Sequence, residues 1–148
     1  MDYKSKRKII DFEIERGEKK EKELLPYLQD YFNTIFHPTN DCEEDRNYPF
    51  DFYSKTRYIE IKNRFLKKER WPTTIVGKNK YLLGLKYKEL GYKVYFVFNF
   101  TDELTFYKLK KTDNINTFKD KWIHRKDIQQ NKLHTEIPVK LLKTIKHN

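Results

Sequence analysis

Asp51, Glu60 and Lys62 are the residues whose types and spacing could do chemistry together. Asp51 lies in a short aromatic run, Tyr48–Tyr53. After the polar turn Ser54-Lys55-Thr56, a second run, Arg57–Phe65, carries Glu60-Ile61-Lys62. Alternate residues of a strand face the same way, so Glu60 and Lys62 share one face while Ile59 and Ile61 share the other. A hairpin at this point brings two carboxylates and an ammonium together at one end of a small sheet. That grouping suits a hard divalent cation and an attacking water, as phosphodiester hydrolysis requires.

The charge around these residues fits the same chemistry. The net charge is +10 over 148 residues, and it is unevenly spread. Lys55–Lys93 holds twelve Lys/Arg against three Glu, a net of +9, whereas Asp41–Asp51 holds five acids against Arg46. A basic field beside an acidic pocket suits a polyanion held against a metal site.

Placing the three residues requires a framework, and the length allows one domain with a real core. Hydrophobic residues make up 37% and aromatics 16%, so Tyr and Phe compensate for few aliphatics, and a disordered chain is excluded. The chain has no alanine and is rich in Lys, Asn, Ile and Tyr, the signature of an AT-rich coding sequence such as a viral one. The lone Cys42, flanked by acids, excludes an internal disulfide and a cysteine-built zinc site. No apolar run approaches membrane-spanning length and no signal-peptide core follows the first residues, so the expectation is a soluble, intracellular protein, in the host cell's cytoplasm or nucleus if viral.

Residues 1–17 read equally as strand or helix, and Gly17 closes them. From Glu18 to Phe36 the positions Leu24, Leu25, Leu28, Tyr31, Phe32, Ile35 and Phe36 recur at helical spacing, with Pro26 as a potential kink. His37-Pro38 ends that helix, and 38–47 reads as a loop. The two short strands follow, then a basic connector, Leu66–Lys78. A second helix is expected over Lys80–Leu90, with Leu82, Leu83, Leu85 and Leu90 as its apolar side and Gly91 as its stop. Tyr92–Phe100 is the strongest strand, apolar enough to be buried on both faces, and Leu104–Leu109 alternates as another. A short strand near Trp122 and a last helix over Lys140–Ile145 complete the order. The reading is one α/β domain over 1–148, with a central mixed sheet of four or more strands flanked by helices.

The Glu60-Ile61-Lys62 triplet stands on a strand with apolar neighbours, and Asp51 precedes it across a turn. In these residues the chain resembles the PD-(D/E)xK nuclease superfamily, the restriction-endonuclease-like fold. The resemblance covers about Glu18–Leu109, although Phe50 separates Pro49 from Asp51, so the literal Pro-Asp pair is absent. It implies a metal-dependent deoxyribonuclease. Asp51, Glu60 and the Ile61 carbonyl would hold Mg²⁺ or Mn²⁺, and Lys62 would orient the water or stabilise charge on phosphorus. Family members often add a helix glutamate. Here Glu21 lies on the Leu24–Leu28 stripe, with Glu18 one turn earlier as the reserve. Arg64, Lys67, Lys68, Arg70, Lys78 and Lys80 form the expected phosphate-contact zone, the last two at a helix start where backbone amides favour phosphate. The partner is DNA, branched or single-stranded forms included, with homodimerisation as a route to cutting two strands. A non-catalytic nucleic-acid-binding protein of this fold and an RNA-directed nuclease stay open beside it. His37, His124, His134 and His147 lack metal-ligand spacing, and no phosphate loop is present. Trp71 and the tyrosines are able to stack on unpaired bases, but the expectation is that they fill the core.

Overall fold

In the computed structural model the described residues are 19–39, 50–111, 118–125 and 128–148. The chain divides into two compact units, Met1–Phe36 and His37–Asn148. The ambiguous segment 1–17 and most of the expected loop at 38–47 lie outside the described residues.

Among its described residues the first unit contains one helix, α1, over residues 19–32. Leu24 and Leu28, four residues apart on one stripe, are buried, as is Phe36. Pro26 does not end the helix. The carbonyl deprived of its partner belongs to Lys22, which is exposed and open to water. The end comes at Asn33, four residues before the expected one. Asn33 has φ 47°, a left-handed conformation that Asn tolerates. Two reversed bonds close the turn, Thr34 N–H to the Gln29 carbonyl at 3.1 Å and Asn33 N–H to the Asp30 carbonyl at 3.3 Å. The Gln29 side chain then accepts the Phe36 N–H at 3.0 Å.

The second unit contains strands β1 (His37–Pro38), β2 (Phe52–Tyr53), β3 (Arg57–Asn63) and β4 (Thr73–Gly77), helix α2 (Lys78–Glu89), and strands β5 (Lys93–Asn99), β6 (Glu103–Lys108), β7 (Phe118–Arg125), β8 (Ile128–Pro138) and β9 (Lys143–His147). Six strands form one mixed sheet in the order β1-β2-β3-β5-β6-β9. Every pairing in it is antiparallel except β3 with β5. A parallel pair needs a long crossover, and β4 with α2 supplies it. The protein is thus α/β with a mixed six-stranded sheet. As its unbroken apolar sequence implied, β5 lies inside the sheet, with Val94–Phe98 buried throughout.

Helix α2 packs on the core with Leu83 and Leu85 of its expected apolar side partly buried, but without Leu82 and Leu90. Its buried residues are Tyr81 and Gly84, while Leu82 and Leu90 are exposed. A Cβ at Gly84 would stand 2.8 Å from Leu109 Cδ2 and 3.4 Å from both Phe96 and Val94 side chains, so the glycine permits the close approach. Gly91, with φ 102°, stops the helix where expected. Its end repeats that of α1, with Tyr92 N–H to Tyr87 at 3.1 Å and Gly91 N–H to Lys88 at 3.0 Å.

Two expectations are corrected. The connector after β3 is not irregular throughout. It contains a 3₁₀ turn, Lys68–Arg70, and then β4, which joins β8 and β7 in a second antiparallel sheet in the order β4-β8-β7. The strand expected near Trp122 is β7. The last helix is also absent. Val139–Leu141 makes a 3₁₀ turn and Lys143–His147 forms β9, the edge of the six-stranded sheet. A six-residue run is too short to sustain a helix alone, and its β-branched Thr144 and Ile145 favour a strand.

Candidate active site

The turn between β2 and β3 is closed by Ser54. Its N–H donates to the Arg57 carbonyl at 2.8 Å, and its hydroxyl accepts the Arg57 N–H at 3.0 Å. This sets the register Phe52 opposite Ile59 and Tyr53 opposite Tyr58. The short strand β2 then runs out, and side chains take over the pairing. The Asp51 N–H still donates to the Ile59 carbonyl at 2.9 Å, but the next amide of β3, that of Ile61, donates to Asp51 Oδ2 at 2.6 Å. A strand residue's N–H and C=O point to the same side, so the Ile61 carbonyl also faces the Asp51 side. Thr39 holds the approach to Asp51, donating its amide to the Asp51 carbonyl at 3.0 Å and its hydroxyl to the Phe50 carbonyl.

Alternation along β3 turns Tyr58, Glu60 and Lys62 to the face that meets α2, where Tyr58 and Tyr87 rings lie 4.8 Å apart. Glu60 is only 4% exposed. Its Oε1 lies 3.3 Å from Lys62 Nζ, and its Oε2 lies 3.5 Å from Lys80 Nζ on α2. The Lys80 ammonium also stands 5.9 Å from the centre of the buried Phe50 ring. Despite two lysines, the Glu60 pKa is pushed up from 4.5 to about 7. Burial is the main cause and the Asp51 charge the second, and the lysines offset only part of it. Glu60 Oε2 is buried yet accepts no hydrogen bond. A carboxylate oxygen left in that state is costly and wants a cation or a proton.

Asp51, Glu60, Ile61 and Lys62 are therefore brought together. Among the described residues no group of three or more His, Cys, Asp or Glu could hold a metal. Two carboxylates with a carbonyl nevertheless fit Mg²⁺, which keeps several waters and is commonly held by one or two carboxylates together with substrate phosphates. Glu21 lies half-buried on α1, in the first unit, and Glu18 lies outside the described residues.

The basic zone separates into distinct groups. Lys80, expected as a phosphate contact, stands beside Glu60. Arg64 is tied down, its guanidinium donating to the Ile75 carbonyl at 2.8 Å and lying 5.8 Å from the Phe98 ring centre. Burial pushes its pKa down. Lys68 pairs with Glu103 at 2.8 Å. Lys67 and Arg70 are exposed, and Lys78 opens α2 half-buried. Trp71 does not fill the core. It is 57% exposed, with the Arg70 guanidinium 5.3 Å from its ring centre. The Lys80–Glu60 approach had no local signal, since it depends on the crossover that returns α2 to the sheet.

A mixed sheet whose neighbouring segments carry Asp51 and Glu60-Ile61-Lys62 is the frame of the PD-(D/E)xK superfamily. A family model described as "Phage putative PDDEXK endonuclease" matches residues 48–145, and the chain belongs to that family. No curated protein and no solved structure matches the chain significantly. The family's class of activity is endonuclease, hence hydrolysis of a nucleic acid, and nucleases of this superfamily generally use divalent metals. Among the described residues no helix is long and apolar enough to cross a membrane.

Proposed function

We propose that the protein is a divalent-metal-dependent nuclease that hydrolyses phosphodiester bonds in DNA. The observation that carries this reading is the buried Glu60 carboxylate, which has one oxygen without a hydrogen-bond donor and lies within reach of the Asp51 charge and two ammonium groups. Asp51, Glu60 and the Ile61 carbonyl would hold Mg²⁺ or Mn²⁺. When bound, the cation supplies charge for the scissile phosphate and makes a water acidic enough to attack.

The chain's own residues do the rest. Asp51 is fixed by the Ile61 amide, so one of its oxygens is oriented before any ligand arrives. Lys62 can donate to the attacking water or to the phosphoryl oxygens, where negative charge grows as the water adds. Lys80 stands on the other side of Glu60 and adds positive charge to the same face. Lys67, Arg70 and Lys78 would contact flanking phosphates. Dimerisation would let two such sites cut both strands.

The test is incubation with supercoiled, linear, single-stranded and four-way-junction DNA in Mg²⁺, Mn²⁺ or EDTA. Cleavage with metal, abolished by EDTA and by Glu60→Gln or Lys62→Ala, is the expected result. Binding without cleavage of any substrate would overturn the catalytic reading, and equal cleavage by wild type and both variants would overturn the site.

A further inference from the structure

The segment from Phe65 to Trp71 is held firmly while presenting large rings to solvent. Arg64 anchors its start, with its N–H on the Asn99 carbonyl at 2.9 Å and its guanidinium on Ile75. The Leu66 carbonyl accepts the Thr101 N–H at 3.0 Å. Lys68 is clamped twice, its amide on Asp102 Oδ1 at 3.0 Å and its ammonium on Glu103. On this fixed backbone Phe65 is 71% and Trp71 57% exposed. Leu66, Lys67, Glu69, Arg70, Trp71 and Asp102 line one shallow cleft.

Exposed rings on a rigid backbone among cations are what unpaired bases bind. Each base offers a π face, and its phosphate needs a positive neighbour. Between Arg64 and Lys80 the sequence places six Lys/Arg against the single carboxylate Glu69. The acid lining the far side, Asp102, has one oxygen engaged by the Lys68 amide. The position is also telling. Phe65 follows Lys62 by three residues, so it lies within about 10 Å of that residue's backbone.

We infer that Trp71, with Phe65, Lys67 and Arg70, forms a stacking subsite for an unpaired base of a single-stranded DNA segment next to the candidate active site. This rests on the nuclease reading and narrows its substrate class to DNA with unpaired nucleotides beside the scissile bond. Trp71 takes the base and Arg70, over the same ring, braces it. Lys67 meets the phosphate.

The test uses the full chain in EDTA, so that binding is read without cleavage. Oligo(dT) and a blunt duplex of equal length are titrated against wild type, Trp71→Ala and Trp71→Phe by anisotropy. Trp71→Ala should weaken oligo(dT) binding on the order of 10-fold, from base–aromatic stacking of about 1–3 kcal/mol. Duplex binding should change less than about twofold, and Trp71→Phe should restore most of the loss. A Trp122→Phe variant leaves Trp71 as the sole tryptophan, and oligo(dT) should quench its emission while duplex does not. Equal weakening for both DNA forms, or unchanged oligo(dT) binding by Trp71→Ala, would overturn the subsite. If the stacking signature is present but no metal-dependent cleavage occurs, the nuclease reading fails and the subsite stands. Cleavage without the signature has the opposite meaning.

Discussion

Glu60 and Glu89 each stand beside lysine, and their pKa values shift in opposite directions. The Glu89–Lys111 pair is the shorter, at 2.8 Å, and both side chains are more than half exposed. The hydrogen bond to Lys111 lowers the Glu89 pKa. Glu60 has two lysines, at 3.3 and 3.5 Å, but its side chain is only 6% exposed, and its pKa rises to about 7. The number of partners favours a charged Glu60, yet burial decides. Taking a carboxylate out of water costs more than two imperfect ion pairs return, whereas an exposed pair is nearly neutral in energy. The first unit of charge is held at a cost to the fold, and such groups concentrate where chemistry is done. The second is ordinary surface.

The largest expected effect tests that division directly. Glu60→Gln and Lys62→Ala should each lower the metal-dependent cleavage rate by about 10²–10³, with DNA binding in EDTA nearly intact, because Lys62 acts mainly on the transition state. Glu89→Gln should leave the rate unchanged. A comparable loss in Glu89→Gln would erase the contrast.

Stability follows next. Between about pH 4.5 and pH 7 the unfolded chain releases the Glu60 proton while the folded protein retains it. Stability in the absence of metal therefore falls as pH rises through that window and is flat above it. Glu60→Gln should remove this slope and raise stability at pH 8 by up to about 3 kcal/mol, read from urea unfolding in EDTA. Glu89→Gln should unfold at the same urea concentration as wild type. The same proton competes with the cation. Mg²⁺ or Mn²⁺ affinity should strengthen as pH rises through about 7, and calorimetry in two buffers of different ionisation enthalpy should show proton release that Glu60→Gln lacks.

The smallest effect sorts the lysines. Replacing Lys67 and Arg70 together by Ala should reduce the slope of log affinity against log salt by about 2, or roughly 0.9 per phosphate contact. Lys68→Ala should change the slope less and stability more, because its ammonium already serves Glu103. An equal slope change from Lys68 would show that this ion pair opens on DNA.

The hairpin with Asp51 and Glu60-Ile61-Lys62 was legible because it is local. Residues nine apart across a tight turn, in a period of two, fix one another's positions. The central place of β5 was legible from its unbroken apolar run, and the end of α2 from Gly91. What escaped was set by distant pairing. The β4 strand makes sense only beside β8, more than fifty residues on. β9 exists because β6 offers it an edge, and its own five residues carry too weak a pattern to show it. Lys80 was read as a helix-start cation because nothing in its neighbours announces Glu60. The leucines of α2 misled in part, since Leu83 and Leu85 pack on the core while Leu82 and Leu90 stay exposed, and Gly84 sets the closest approach.

The bond from the Ile61 amide to Asp51 makes the end of β3 a built-in reporter. This amide has a carboxylate where its neighbours on the ladder have carbonyls, so its proton resonance senses the charge and position of Asp51. Any ligand that draws on that carboxylate changes the electron density at the acceptor. The Ile61 nitrogen–proton pair should then shift, and its hydrogen–deuterium exchange should quicken, while the amides of β5 stay silent. One backbone signal thus reads occupancy of the acidic pocket without nucleic acid, turnover or an added probe.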